Sequence, residues 1–235
     1  MWNIGIDFAI KNKRIAGSVE YFSRKGNDLI GNSAIDPTSG FISYRGNVAN
    51  MSGNGLDVEI NSANITSEKF KWNTFALFSI AKNKVTEYQR PTSLSSFLSD
   101  NSIYRNPISY SPVVGRPLFG IYSYPWAGLD PETGQARGFL KDSPSMQYTQ
   151  ITQELSLDPT NNLVYNGNAL PPYFGAIRNT FSYNGIELSF NITYRFGYYF
   201  KRNSIMYTAL YSNYTSHADF YNRWQKPGDE TNTNV

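Results

Sequence analysis

The sequence predicts an all-β protein, an antiparallel up-and-down meander of about eight strands, on three observations. Polar and apolar residues alternate over several segments, most cleanly in GIELSFNITYRFGYYF at 185–200, and a period of two is the signature of a strand. The chain of 235 residues carries 18 Tyr and 15 Phe, residue types that suit a half-buried pleated surface. Its connections also alternate in length, short near 11, 66, 132 and 184 and long near 40, 100, 157 and 215. In a meander, every second connection lies at the same end of the sheet. The short turns therefore gather at one rim and the long loops at the other, the arrangement of a membrane barrel. Long structureless loops are uncommon in compact soluble domains.

The first strand spans residues 2–10, with Trp2, Ile4, Ile6, Phe8 and Ile10 on one face. The short turn KNK at 11–13 leads into RIAGSVEYFSR and closes a hairpin. A polar stretch over roughly 25–53 reads as a long loop. GLDVEINS at 55–62 alternates again, and after a short turn FKWNTFALFSI at 70–80 keeps Phe70, Trp72, Phe78 and Ile80 on its greasier face. Phe75 and Leu77 blur that pattern. A second long loop covers about 84–116. PLFGIYSYPWAGL is a weaker strand, demoted by Pro125 because proline cannot donate to a ladder. DPETGQAR is a turn, GFL a brief return, and 142–172 a third loop. PYFGAIRNTFSY meets the strand at 186–196 across Asn184-Gly185, the strongest short hairpin signal in the chain. The tail after about 201 is polar, with SHADFYNRW as one short helix capped by Ser216.

Within 186–196, Ile186, Leu188, Phe190, Ile192, Tyr194 and Phe196 point one way, and Glu187, Ser189, Asn191, Thr193 and Arg195 the other. In a soluble sandwich the first set is a dry core. In a membrane barrel it meets lipid while the second set lines a lumen, and the sorted loop lengths favour this reading. A mean hydropathy of −0.45 is no objection, because barrel strands are half polar and outer loops are wet.

Little points to catalysis. Cysteine is absent and His217 is the single histidine, which removes the common zinc and Cys-His constellations. Glu20, Asp57, Glu59 and Glu187 fall on polar strand faces and read as a solvated or lumen-facing row. Asp130-Pro131-Glu132-Thr133-Gly134 is better explained as a turn than as a calcium loop. Tyr122, Tyr124 and Trp126 suit an interfacial belt or a core more than a sugar platform. A net charge of +3 without a basic stripe gives no nucleic-acid footprint. No catalytic residue, metal or cofactor is expected.

Several segments, in order, resemble the SusC/RagA-type TonB-dependent transporters of the Bacteroidota outer membrane. WNIGIDFAIKNKRIAGSVEYFSRKGNDLI is similar to that family's hairpin ending in a Lys-x-x-Asp-Leu motif. NGLDVEI with FKW and NKV resembles the next pair. YSYPWAGLDPETGQARGFL, PPYFGAIRNTFSYNGIELSFNITYRFG and RWQKPGDETN resemble the later barrel.

The resemblance implies a large transmembrane β-barrel of about 22 strands, plugged by an N-terminal domain and driven by TonB. It implies a SusD-like lipoprotein as partner and an oligosaccharide or peptide nutrient as cargo, in the cell outer membrane of a Gram-negative bacterium. Residues 1–235 are then expected to be a partial β-barrel domain, with plug, N-terminal extension and closing C-terminal strands outside them. Such a piece supplies wall against outer-membrane lipid, lumen lining and extracellular loops, and is expected not to transport alone. A soluble all-β carbohydrate- or protein-binding module is the alternative from another class, and an all-β hydrolase is a poorly supported third.

Overall fold

The structure is a computed structural model that describes residues 1–10, 12–34, 36–41, 43–89, 93–98 and 112–235. Along the chain run strands β1 (Trp2–Ile10), β2 (Ile15–Ala34), β3 (Ser43–Thr66), β4 (Phe70–Tyr88), β5 (Gly120–Ser123), β6 (Gly138–Leu140), β7 (Ser143–Ser145), β8 (Val164–Asn168), β9 (Tyr173–Tyr183) and β10 (Ile186–Phe196). The α-helices are α1 (Leu94–Leu98), α2 (Tyr148–Leu157), α3 (Pro159–Asn162) and α4 (Tyr207–Asn213). The chain divides into two compact units. The first is Met1–Pro91, Tyr110–Gly120 and Gly167–Tyr199; the second is Thr92–Ser109, Ile121–Asn166 and Phe200–Val235.

The first unit is a sheet of six strands in the order β1-β2-β3-β4-β9-β10, antiparallel throughout. Two of its hairpin turns are built from left-handed residues. Asn184 and Gly185 have φ of 47° and 86°, the type I′ geometry that matches the twist of the flanking strands. Asn12 and Lys13, at 55° and 67°, do the same after β1, while Lys11 of that turn lies outside the described residues. The β1–β2, β3–β4 and β9–β10 turns share one end of the sheet. The β2–β3 connection at 35–42 and the β4–β9 connection at 89–172 lie at the other. Loop sorting by length is therefore real.

Three expectations need correction. Among the described residues the meander has six strands rather than about eight. PLFGIYSYPWAGL contributes only the four residues of β5, which pair with β8 outside the main sheet, so the turn near 132 does not join wall strands. Pro125 and the DPETG turn interrupt the backbone too often for a long ladder. The stretch 25–53 is no loop either. The ladder of β2 and β3 runs on to Ala34↔Ser43, with register shifts near Leu29, and β4 continues to Tyr88. Polar residues pair their backbones as well as apolar ones do. Where small and polar residues dominate both faces, the period of two disappears from the sequence while the ladder persists.

The second unit is small and mixed. Phe97, Tyr122, Leu129, Ile151, Leu155 and Leu163 are its buried apolar side chains, and the Phe97 and Tyr122 rings meet edge-on with centroids 4.6 Å apart. Helix α2 presents Ile151 and Leu155, one turn apart, to this core. The third loop, 142–172, thus contains regular structure.

Candidate functional site

Register decides what the sheet presents. The antiparallel partners place Ile6, Val19, Val58, Phe78, Gly175 and Tyr194 in one row across all six strands. Two residues further along, Ile4, Tyr21, Leu56, Ile80, Tyr173 and Phe196 form a parallel row. The apolar sets of six separate strands therefore coincide on one face. That face is not a core: Ile6 is 68% exposed, Leu188 65% and Ile186 75%. Full burial of one such side chain contributes about 1.5–3 kcal/mol, so an apolar face of this extent calls for an apolar environment. The soluble-sandwich alternative requires the face to be dry within the chain, and it is open. Ile186, Leu188, Phe190, Ile192, Tyr194 and Phe196 all lie on it, as expected from their alternation.

Aromatic rings mark both ends of the band. Towards the short turns, Phe181 stacks with Phe70, Trp72 and Phe190 at centroid distances of 6.4, 5.6 and 5.9 Å. Towards the long loops, Trp2 meets Tyr21 at 5.3 Å and Tyr194 meets Phe196 at 5.5 Å. Tyr173 and Tyr183 sit at the two ends of β9. Ten steps of about 3.3 Å give about 33 Å along the strand, and a tilt near 40° reduces this to about 25 Å, the height of a barrel's lipid band.

The band contains one polar patch. Asn179 Oδ1 accepts from Trp72 Nε1 at 2.9 Å and from Thr74 Oγ1 at 2.7 Å. Asn64 Nδ2 donates to Thr74 Oγ1 at 2.7 Å, and Ser62 Oγ donates to Asn64 Oδ1 at 2.8 Å. The hydrogen bonds satisfy these groups within the face, as an apolar medium requires.

The opposite face is polar. Gly5, Glu20, Asp57, Ser79, Phe174 and Arg195 form one row, and Asp7, Ser18, Glu59, Leu77, Ala176 and Thr193 the next. Asn3 donates to Glu20 at 3.3 Å and Asn61 to Glu59 at 3.1 Å. Phe75 and Leu77, which blurred the pattern, belong here, and Phe75 lies under the Arg178 guanidinium at 5.4 Å. Glu20, Asp57, Glu59 and Glu187 thus fall on the face their alternation assigned, and no group of three His, Cys, Asp or Glu suited to a metal occurs among the described residues.

Tyr122 is core of the second unit, one of the two readings the sequence offers for it. One site falls differently from the sequence reading. The short helix near 218 is a 3-10 turn, Ala218–Asn222, capped by His217 rather than Ser216: His217 Nδ1 accepts from the Asp219 N–H at 3.1 Å. Asp219 is buried, accepts from Arg202 at 3.0 Å and Ser204 at 2.6 Å, and its carboxyl is held below the usual range mainly by the Arg202 and Ser204 hydrogen bonds. This is a structural clasp, because Ser204 bonds the carboxylate and not the imidazole that would activate it.

No protein-family model matches the chain. TonB-dependent receptor P39 of Formosa agariphila is 24% identical over 262 residues, covering 97% of this chain and 25% of that receptor. TonB-dependent receptor SusC of Bacteroides thetaiotaomicron is 28% identical over 87 residues, 37% of this chain and 9% of SusC. The RagAB peptide importer in its closed-closed state superposes with a TM-score of 0.63 at 18% identity, over 83% of this chain and 21% of that one. The chain is similar to TonB-dependent receptors of the SusC/RagA type. It spans a quarter or less of the length of each of these relatives. In the six-stranded sheet, strands longer than the 9–11 residues a tilted span needs continue past the apolar band at the long-loop end. β2, β3 and β4 have 20, 24 and 19 residues.

Proposed function

We propose that this chain is wall, lumen lining and extracellular loops of an outer-membrane TonB-dependent transporter that takes up an oligosaccharide or peptide. The single observation that carries the reading is the exposed apolar face shared by six strands, about 25 Å tall and ringed at both ends. Its polar reverse lines the lumen. Ile186, Leu188, Phe190, Ile192, Tyr194 and Phe196 touch lipid. The relatives are receptors and importers by name, which supports transport rather than catalysis. The likeness to SusC and RagAB supports a SusD-like lipoprotein partner, TonB as the energy source and the outer membrane of a Bacteroidota cell as the location.

β1 and β10 each have one neighbour in the sheet. Unpaired backbone groups in lipid cost several kcal/mol each, so both edges pair with further strands of the same barrel. Residues 1–235 are then one partial β-barrel domain. Expressed alone, the chain aggregates or requires detergent. Fractionation and gel mobility test this: the receptor is expected in the outer membrane, running faster unheated than boiled. A monodisperse soluble monomer of the chain in plain buffer contradicts it.

A further inference from the structure

The second unit holds a cavity of about 320 Å³ lined by Tyr124, Trp126, Arg137, Tyr148, Ile151 and backbone between them. Its walls are aromatic. Tyr124, Trp126 and Tyr148 are each about half exposed, although soluble loops gain nothing by wetting three large rings. The hairpin around the DPETG turn builds one wall: the Ala127 N–H donates to the Arg137 carbonyl at 3.0 Å and the Arg137 N–H to the Gly128 carbonyl at 2.9 Å. Tyr124 and Trp126 flank Pro125, two residues apart in chain, and the Tyr148 ring is fixed by its hydroxyl, which donates to the Ala136 carbonyl at 2.7 Å. Arg137 is the cation of the cavity, and its Nε is buried with no hydrogen-bond partner.

We propose that this cradle binds an acidic sugar unit of the transported oligosaccharide. The proposal rests on the transporter reading above and narrows its cargo. A pyranose shows an apolar C–H face that stacks on an aromatic ring, and a uronate carries its carboxylate at the ring edge, where a guanidinium takes it up bidentately. An anion that draws Arg137 towards the cavity also gives the stranded Nε an acceptor. A peptide fits less well. Strand-like capture requires a free backbone edge, and the hairpin uses the Ala127, Gly128, Ala136 and Arg137 backbone groups named above for its own bonds.

The test is calorimetric titration of the full chain in detergent micelles with oligogalacturonate, with its carboxyl-reduced neutral counterpart, and with an acidic peptide. Oligogalacturonate is expected to bind roughly tenfold to a hundredfold tighter than the neutral glycan, the worth of one charge-assisted bond. Arg137→Gln should erase that preference, and Trp126→Ala should weaken both sugars. Equal binding of acidic and neutral sugar, an unchanged preference in Arg137→Gln, or a tighter acidic peptide overturns the proposal. Membrane insertion without acid preference removes the cradle and leaves the transporter standing. Acid preference in a chain that stays in the aqueous fraction supports the cradle and removes the transporter.

Discussion

The Tyr194 side chain passes over Gly175, its cross-strand partner, and its hydroxyl donates to the Leu77 carbonyl 2.8 Å away, two strands from its own. A Cβ on Gly175 would meet the Tyr194 hydroxyl and the Leu77 carbonyl, so the glycine is what opens this path. On the apolar face Phe8 covers Gly17 in the same way, and on the polar face Phe22 covers Gly55. Rings filling the gap above a strand glycine pin register. Tyr194→Phe is expected to lose one hydrogen bond, about 0.5–1.5 kcal/mol, in urea unfolding of the receptor in lipid vesicles. Gly175→Ala should lose more, because backbone must shift.

The central residue of β10 separates the two faces. Phe190→Arg should cost about 2–4 kcal/mol near the bilayer midplane, whereas Asn191→Arg folds normally and changes only the lumen. Comparison of heat-modifiable mobility in the two variants reads this directly. Equal tolerance at both positions would argue against a lipid-facing side.

The Asn179 patch gives a second test of the apolar face. Asn179→Ala strands the Trp72 indole N–H and the Thr74 hydroxyl, an expected loss of about 1–3 kcal/mol together with a shift in Trp72 emission. Adding Trp72→Phe to Asn179→Ala should recover part of the loss, because the indole N–H is then no longer left without an acceptor. A double variant as unstable as the single one contradicts this account.

Asp219 sets a pH dependence in the second unit. The Arg202 and Ser204 hydrogen bonds lower its carboxyl below the ordinary value of 3.8. A depressed carboxyl contributes stability that is fully present above the unfolded value and fades as pH falls through the folded one. Thermal melts followed by near-ultraviolet circular dichroism should therefore show the midpoint falling below about pH 4. Asp219→Asn should flatten that fall, and the same slope in both proteins would remove the clasp.

Sheet and faces were legible where one side must be dry. The alternation of β1 and β10, and the Asn184-Gly185 turn, pointed to both strand and register, because a one-residue slip would turn every apolar side chain over. The extensions of β2 to Ala34 and β3 back to Ser43 were not legible, since small and polar residues dominate their sequence and impose no period of two. The helix α2 was missed for a different reason. It offers only Ile151 and Leu155 as a periodic signal within ten residues, too few to stand out from a polar loop. The cradle at Arg137 brings together residues 124–126, 136–138 and 148–152. No spacing in the sequence announces that meeting, though Tyr124 and Trp126 hinted at one wall.

Depth-resolved quenching is the most direct measurement. The chain has no cysteine, so Phe190→Cys and Asn191→Cys each place one thiol in it for a fluorophore, read in a receptor freed of any cysteine outside these residues and reconstituted in lipid vesicles. The label at 190 should be quenched by lipids brominated along their acyl chains and shielded from iodide, and the label at 191 should behave in the opposite way. Iodide reaching 190 while brominated lipid leaves it bright would show that the greasy side of the sheet does not touch the membrane.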